Sequence, residues 1–329
     1  MKKIYTLSLM LVATLSFGQF SEPFSGTGAL NANGWSTHSG TTPGQLSIVS
    51  GSLSYTGLTS TGNKAALVAG NSEDVNKASA AAITGVAYYS AILNLPNTTG
   101  LNANTATGDY FLMTSASAGT TGVTAFASRI YVRVGSVADT FNIGVLNNSG
   151  GTAAPSYVST DFAINTPIFV VVKYDLASNT ASLFVNPTIG GTEGTATVTN
   201  ATGTTAAPAQ IAAIAIRQGG NATAGTGNVE IDELRLGSTW SSVTTATLSV
   251  SQNQIEGLKV YPNPVTNGTF YINTAADSTK EVVVYDVLGK QVVKTTTTNA
   301  VNVSNLKGGV YIVKITEDGN TATRKLIIK

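Results

Sequence analysis

Side chains able to do chemistry are few in this chain. Its 329 residues hold one histidine and no cysteine, which removes thiol nucleophiles, thiolate metal sites and redox chemistry together. A Ser-His-Asp triad or an imidazole metal site would have to use His38, in the loop-like stretch Gly34-Trp35-Ser36-Thr37-His38-Ser39-Gly40. Without a second imidazole no catalytic zinc is expected, and His38 reads as an ordinary loop residue. Glu230 and Asp232 stand two apart, which on a strand puts both carboxylates on one face. Retaining glycoside hydrolysis needs two carboxylates about 5–5.5 Å apart, one as nucleophile and one as general acid. Arg129, Tyr131 and Arg133 alternate with Ile130, Val132 and Val134, so they form a second face. An aromatic ring between guanidinium groups suits stacking on a sugar and bidentate capture of a carboxylate or sulfate. Tyr88, Tyr89, Tyr110 and Trp35 are candidates to extend that surface. The plainer reading is a solvent-facing strand that uses Arg and Tyr as good β residues. No cofactor is required, and calcium is the one candidate, through Asp109 and Asp175 with loop carbonyls. No Asp-rich run with ligand spacing exists, and Asp175 serves equally as a turn former.

The elements that must hold these residues read as strands. Short runs of alternating polarity are separated by Gly, Asn, Ser and Thr clusters, the pattern of an all-β protein. Segments 129–134, 168–174, 181–185, 211–217 and 229–236 alternate well enough to assign faces. Residues 168–174 are apolar on both faces except Lys173, which predicts a central strand, and the turn-rich link 175–180 predicts a hairpin to 181–185. Earlier strands are expected at 46–49, 86–95, 109–113 and 141–146. Residues 73–83 are the nearest approach to a helix but lack a regular apolar stripe. About a dozen such strands fit two stacked antiparallel sheets. Around Asp232 and Glu233 the apolar parity slips by one residue, from Val229 and Ile231 to Leu234 and Leu236, which predicts a β-bulge.

Residues 169–187, then Ile216-Arg217-Gln218-Gly219, then Ile231-Asp232-Glu233-Leu234-Arg235-Leu236-Gly237 with Trp240, resemble the closing strands of concanavalin-like (laminin-G-like) jelly rolls in exported Bacteroidota proteins. Laminarinase-type glycoside hydrolases of that fold place their pair as Glu-x-Asp-x-x-Glu or Glu-x-Asp-x-Glu. Glu230 and Asp232 match the opening, but the closing acid would fall on Arg235 or Leu234. The second catalytic carboxylate is therefore missing, and the bulge accounts for the cluster without catalysis.

Four blocks near the C-terminus are more specific: Leu258-Lys259-Val260-Tyr261-Pro262-Asn263-Pro264, Val284-Tyr285-Asp286-Val287-Leu288-Gly289-Lys290, Gly308-Gly309-Val310-Tyr311-Ile312-Val313-Lys314-Ile315 and Arg324-Lys325-Leu326-Ile327-Ile328-Lys329. In this order they closely resemble the type A sorting domain of the type IX secretion system. Tyr261, Pro262, Asn263, Pro264, Asp286, Gly289, Gly309 and Tyr311 carry the motif. The resemblance implies a small seven-strand immunoglobulin-like sandwich and export through the type IX translocon. It also implies a sortase that releases the cargo or joins it to surface lipopolysaccharide. Pro262 and Pro264 lack backbone donors, so they end a strand and open a turn.

The N-terminus agrees, with Lys2 and Lys3 before an apolar stretch 4–17 and small residues at Ser16 and Gly18, the layout of a cleaved signal peptide. That stretch is shorter than the roughly 20 residues a membrane span needs, and no transmembrane segment is expected. The reading divides the chain into a signal peptide (1–18), a jelly-roll cargo domain (19–242), a linker (243–256) and the sorting domain (257–329). Residues 20–250 carry eleven acids against seven bases, and 251–329 nine bases against six acids. A mildly acidic cargo without a basic cluster excludes nucleic acid as a partner. The expectation is a secreted or surface protein whose cargo is a non-catalytic, lectin-like or adhesive module for an extracellular polysaccharide. The alternatives are a glycoside hydrolase of the same fold and a surface-structural protein without a small ligand.

Overall fold

The computed structural model describes residues 20–40, 44–246, 255, 257–317 and 320–329. The expected signal peptide and most of the expected linker lie outside them. The chain divides into two compact units, 1–247 and 248–329.

The first unit is a jelly-roll β-sandwich. Its nine-stranded sheet runs Val198–Asn200, Thr180–Val185, Ile168–Asp175, Val86–Asn94, Val229–Gly237, Lys64–Leu67, Ser47–Val49, Gly28–Ala29, with Phe20–Glu22 beside Val229–Gly237. The eight-stranded sheet runs Ser156–Tyr157, Thr140–Leu146, Phe126–Val134, Asp109–Ser115, Ile211–Arg217, Asp74–Ile83, Ser36–Ser39, with Phe162–Ala163 on Thr140–Leu146. Ile168–Asp175 is central as predicted and pairs with Val86–Asn94 and with its hairpin partner Thr180–Val185. Its even-numbered residues Ile168, Val170, Val172 and Tyr174 enter the core between the sheets. The odd-numbered Phe169 and Val171 enter a second apolar cluster with Leu53, Ile92, Phe184 and Trp240. The outer face of this sheet is thus covered rather than open.

The sequence reading is corrected in two places. His38, expected in a loop, belongs to the strand Ser36–Ser39, which pairs with the strand Asp74–Ile83, the stretch whose missing apolar stripe argued against a helix. An expected linker from 243 meets a helical turn, Trp240–Thr244, in which Val243 and Thr244 are fully buried. Thr239 caps it by accepting from the Ser242 N–H, and the Ser90 hydroxyl donates to the Val243 carbonyl at 2.7 Å. Apolar cover for the sheet, not a spacer, is what these residues supply.

Among its described residues the second unit holds seven strands in two sheets: Lys259–Tyr261, Thr269–Asn273 and Ala300–Asn302 in one, Gln291–Thr297, Lys280–Tyr285, Gly309–Glu317 and Asn320–Ile328 in the other. Phe270, Ile272, Val282, Val284, Val313, Ile315 and Leu326 close the core between them.

Candidate functional site

The Arg129, Tyr131, Arg133 face lies on the outside of the eight-stranded sheet. Tyr131 is the cross-strand partner of Tyr110 on one side and of Gly144 on the other, and Gly144 in turn faces Tyr157. One row across four strands therefore presents three tyrosines around a glycine. Gly144 is needed there, since a Cβ would sit 2.7 Å from the Ser156 carbonyl oxygen and 3.0 Å from the Tyr157 ring. The Tyr110 and Tyr131 rings are 5.5 Å apart.

Guanidinium groups cover this row. Arg133 lies 3.7 Å from the Tyr157 ring centre, Arg217 4.4 Å and Arg129 5.1 Å from that of Tyr110, all within cation–π range. Asp109 pairs with Arg217. Burial alone would lower the Arg217 guanidinium, and the Asp109 carboxylate holds it above its ordinary value instead. Burial raises the Tyr131 and Tyr157 phenols and pushes the Asp74 carboxyl up to about 6 against the pull of Arg217. Arg129 donates to the Phe126 carbonyl at 3.0 Å and Arg133 to that of Ala106 at 3.2 Å. Arg129 Nε, Arg133 Nε and Asn142 Oδ1 are buried without a protein partner, on adjacent strands of the same face. Tyr131 itself is only 8% exposed. A ligand on this face meets guanidinium edges and stacked planes before it meets a bare ring.

Of the aromatic residues expected to extend the surface, only Tyr110 does so. Tyr89 is fully buried with its hydroxyl on the Ser128 carbonyl. Trp35 is packed between Phe20 and Phe24 with its N–H on Glu22. Tyr88 stands on the outer face of the other sheet, against Trp240 and bonded to Glu193. Alternate residues share a face only within one strand, so neighbours in sequence can serve different layers. Arg217 and Tyr157 were missed. Tyr157 sits in a two-residue strand too short to show alternation, while Arg217 ends the alternating run 211–217 and could have been assigned a face.

Glu230 and Asp232 occupy the outer face of the nine-stranded sheet and do not form an open pair. Glu230 is tied to Lys64 at 2.8 Å and to Asn94 at 2.7 Å. Asp232, fully buried, accepts from the Ser52 hydroxyl at 2.9 Å, the Leu53 N–H at 2.7 Å and the Glu233 N–H at 2.8 Å. Burial pushes its carboxyl up to about 7 against those three donors. The predicted bulge is present: pairing with Val86–Asn94 shifts register between Asp232 and Arg235, and Glu233 takes a positive φ of 47°. The carboxylates pin loop 52–61 to the sheet, with Glu233 accepting from the Thr61 N–H. Asp109 and Asp175 do not converge on a calcium site. They belong to different sheets, one paired with Arg217, the other accepting from the Ala177 N–H at 2.9 Å.

In the second unit the motif residues form turns and clasps. Asn263 acts as a backbone mimic, its Nδ2 donating to the Lys325 carbonyl at 2.8 Å and its Oδ1 accepting from the Ile327 N–H at 2.9 Å. Val265 continues the pairing on either side of Ile328. The segment around Pro262 and Pro264 is thereby fastened to the last strand. Asp286 Oδ1 accepts from the Leu288 and Lys290 N–H groups, both at 2.9 Å, and Gly289 takes φ +82° to close the turn. Tyr311 lies over Gly309, 3.7 Å from where a Cβ would stand, and donates to the Lys307 carbonyl. Tyr261 stays 43% exposed beside Tyr271.

Together these features define an exported all-β protein, a jelly-roll cargo followed by a sorting unit. Residues 259–329 match the family described as a secretion system C-terminal sorting domain, so the chain is sent by the type IX system to the cell surface or beyond it. No helix among the described residues is long and apolar enough to cross a membrane. Over 99 residues the chain is 32% identical to an endo-acting ulvan lyase of Formosa agariphila, covering 28% of this chain and 19% of that protein. Similar solved structures include peanut lectin (13% identity, TM-score 0.39, 68% of this chain and 97% of that one). Others are the VIP36 lumenal domain in its Ca2+/Man3GlcNAc-bound form (12%, TM-score 0.35, 63% and 87%) and a sialidase (13%, TM-score 0.37, 68% and 19%). At these scores the fold is read from the chain's own sheets.

Proposed function

We propose that residues 20–246 are a non-catalytic carbohydrate-binding module that takes an extracellular polysaccharide on the outer face of the eight-stranded sheet. The observation that carries this is the guanidinium–tyrosine array, three guanidinium groups set against Tyr110 and Tyr157 on one outer face. Carboxylate or sulfate oxygens on a sugar are the charged acceptors that guanidinium groups take bidentately. Of the carboxylates read as an enzyme's pair, Asp232 is occupied in holding a loop and Glu230 in bonds to Lys64 and Asn94 on the neighbouring strands, which supports binding over hydrolysis. The likeness to an ulvan lyase places no residue of a site, so the reading rests on the face itself. Export would end with a sortase cutting near the start of the sorting domain, leaving the cargo free or on surface lipopolysaccharide.

The test is retention of the purified full chain on neutral and acidic polysaccharides, with calcium and with EDTA, while released reducing sugar is assayed in the same wells. Retention on an acidic glycan without sugar release, lost in Arg133→Ala and Arg217→Ala, is the expected result. Sugar release would transfer the reading to a polysaccharide-active enzyme and to Asp74 and Asp109, beside the array. Silence in both channels would favour a structural role at the surface.

A further inference from the structure

The sorting unit carries an unusual share of exposed apolar surface. Of the eight most exposed large hydrophobic side chains among the described residues, six lie in it, at Tyr261, Tyr271, Val287, Leu288, Val310 and Ile312. Four of those six gather at one end of the four-stranded sheet. Val310 and Ile312 point outward from Gly309–Glu317, 41% and 45% exposed. Ile312 faces Tyr285 on one neighbouring strand, and Val310 faces Ile327 on the other. Tyr285 leads into the turn whose tip exposes Val287 (72%) and Leu288 (91%). That turn is rigid, because Asp286 and Gly289 fix its backbone. Turn tips are ordinarily polar, and here two bulky apolar residues are held into solvent beside an apolar strip.

Lysines frame the strip. Lys314 flanks Val283 on the same face and Lys325 is the partner of Ile312, while Lys294, also beside Val283, is paired with Glu281 at 2.8 Å. Residues 251–329 carry nine bases against six acids. An apolar centre with a cationic rim fits a partner groove that is apolar in the middle and acidic at its edge.

We propose that this surface, Tyr285, Val287, Leu288, Val310 and Ile312 within the lysine frame, is where the export machinery reads the folded sorting domain, through an apolar, carboxylate-rimmed groove on a protein of the secretion route. The domain is a sorting domain, so some protein must recognise it, and this is the face where its apolar exposure and its charge coincide. The motif turn at Asp286 and Gly289 then has a purpose beyond folding: it holds Leu288 out.

The experiment secretes the full chain from a type IX-competent bacterium and measures the extracellular-to-periplasmic ratio. The variants are Leu288→Ser, Val310→Thr with Ile312→Thr, Lys314→Glu with Lys325→Glu, and Val137→Thr in the cargo as control. Thermal unfolding of each purified full chain accompanies the ratios. The expected result is a ratio lower by about tenfold or more for the three sorting-domain variants, the size of one interface hot spot, with unfolding temperatures and the control unchanged. Leu288 is nearly free of the fold, so Leu288→Ser decides the matter even if the strand variants unfold. A ratio within about twofold of wild type for that variant overturns the proposal. A wild-type dimer that the same substitutions dissociate while export continues also overturns it, by making the strip a contact between copies.

Discussion

Replacing Glu317 by alanine strikes the buried ion pair of the sorting domain. Lys280 is fully buried, Glu317 is 3% exposed, and the ammonium lies 3.1 Å from Glu317 Oε1. Lys280 also donates to the carbonyls of Ser278 at 2.7 Å and Thr298 at 2.8 Å. Glu317 Oε1 accepts from the Thr274 hydroxyl at 2.8 Å and the Ser278 N–H at 3.0 Å. Truncation leaves the ammonium with two carbonyls and no close buried countercharge, a loss of about 3–5 kcal/mol. A unit of this size has about 4–10 kcal/mol in all, so the variant forfeits a large part of its stability. At roughly 4–8 °C for each kcal/mol, its unfolding transition should fall by about 12 °C or more. Glu317→Gln keeps an acceptor and loses the charge, so it should fall less. Lys280→Met with Glu317→Leu removes both charges and should lie near wild type. Calorimetry of the full chain reads this, with the cargo transition as internal reference. Acid gives an independent check. Burial alone would raise the Glu317 carboxyl, but the bonds from Thr274, Lys280 and Ser278 hold it below its ordinary value. Its stabilisation is therefore present above the unfolded value, about 4.3, and is lost as pH falls through the folded one. A transition in Glu317→Ala within about 4 °C of wild type would refute the reasoning.

Asn263→Ala removes both side-chain bonds to the last strand, about 1–3 kcal/mol, and should lower the sorting-domain transition while leaving the cargo transition in place. In the cargo, Asp74 and Asp232 have folded values raised to about 6 and about 7. Their contribution is full below the unfolded value of roughly 3.9 and is lost as pH rises through 6 to 7, so the cargo should melt higher at pH 5 than at pH 8. Glu230→Gln breaks the Lys64 pair, whose two side chains are each 18% exposed, and should change glycan retention by less than about twofold. Arg133→Lys keeps the charge but loses the planar stack on Tyr157, and its retention on acidic glycan should fall toward that of Arg133→Ala.

The features legible in advance share a local cause. Parity along 229–236 announced the bulge, because strand side chains alternate strictly and one extra residue reverses every later one. Residues 168–174 announced a central strand by being apolar on both faces except at Lys173, and the structure covers both. The face of Arg129, Tyr131 and Arg133 followed from the same alternation. Its composition did not. Arg217 arrives from a neighbouring strand, and Tyr157 crosses over because Gly144 leaves room. Tyr131 was read as an exposed ring and is covered, since exposure depends on residues of four strands at once.

By itself the sequence determined the all-β class and the address. Each sorting motif works through short-range chemistry: an aspartate bonding its own turn, a glycine at positive φ, a tyrosine over a glycine two residues away. Asn263 reaches further, but its partners are backbone groups, so no particular distant side chain had to be known. Tertiary structure decided what the acidic cluster in the cargo does. Asp232 looked like half of a catalytic pair, yet its carboxylate is taken by Ser52, 180 residues away in the chain. A carboxylate has the same formula in a groove and under a loop. Only the packing of the loop on the sheet, a contact with no local signature, separates the two.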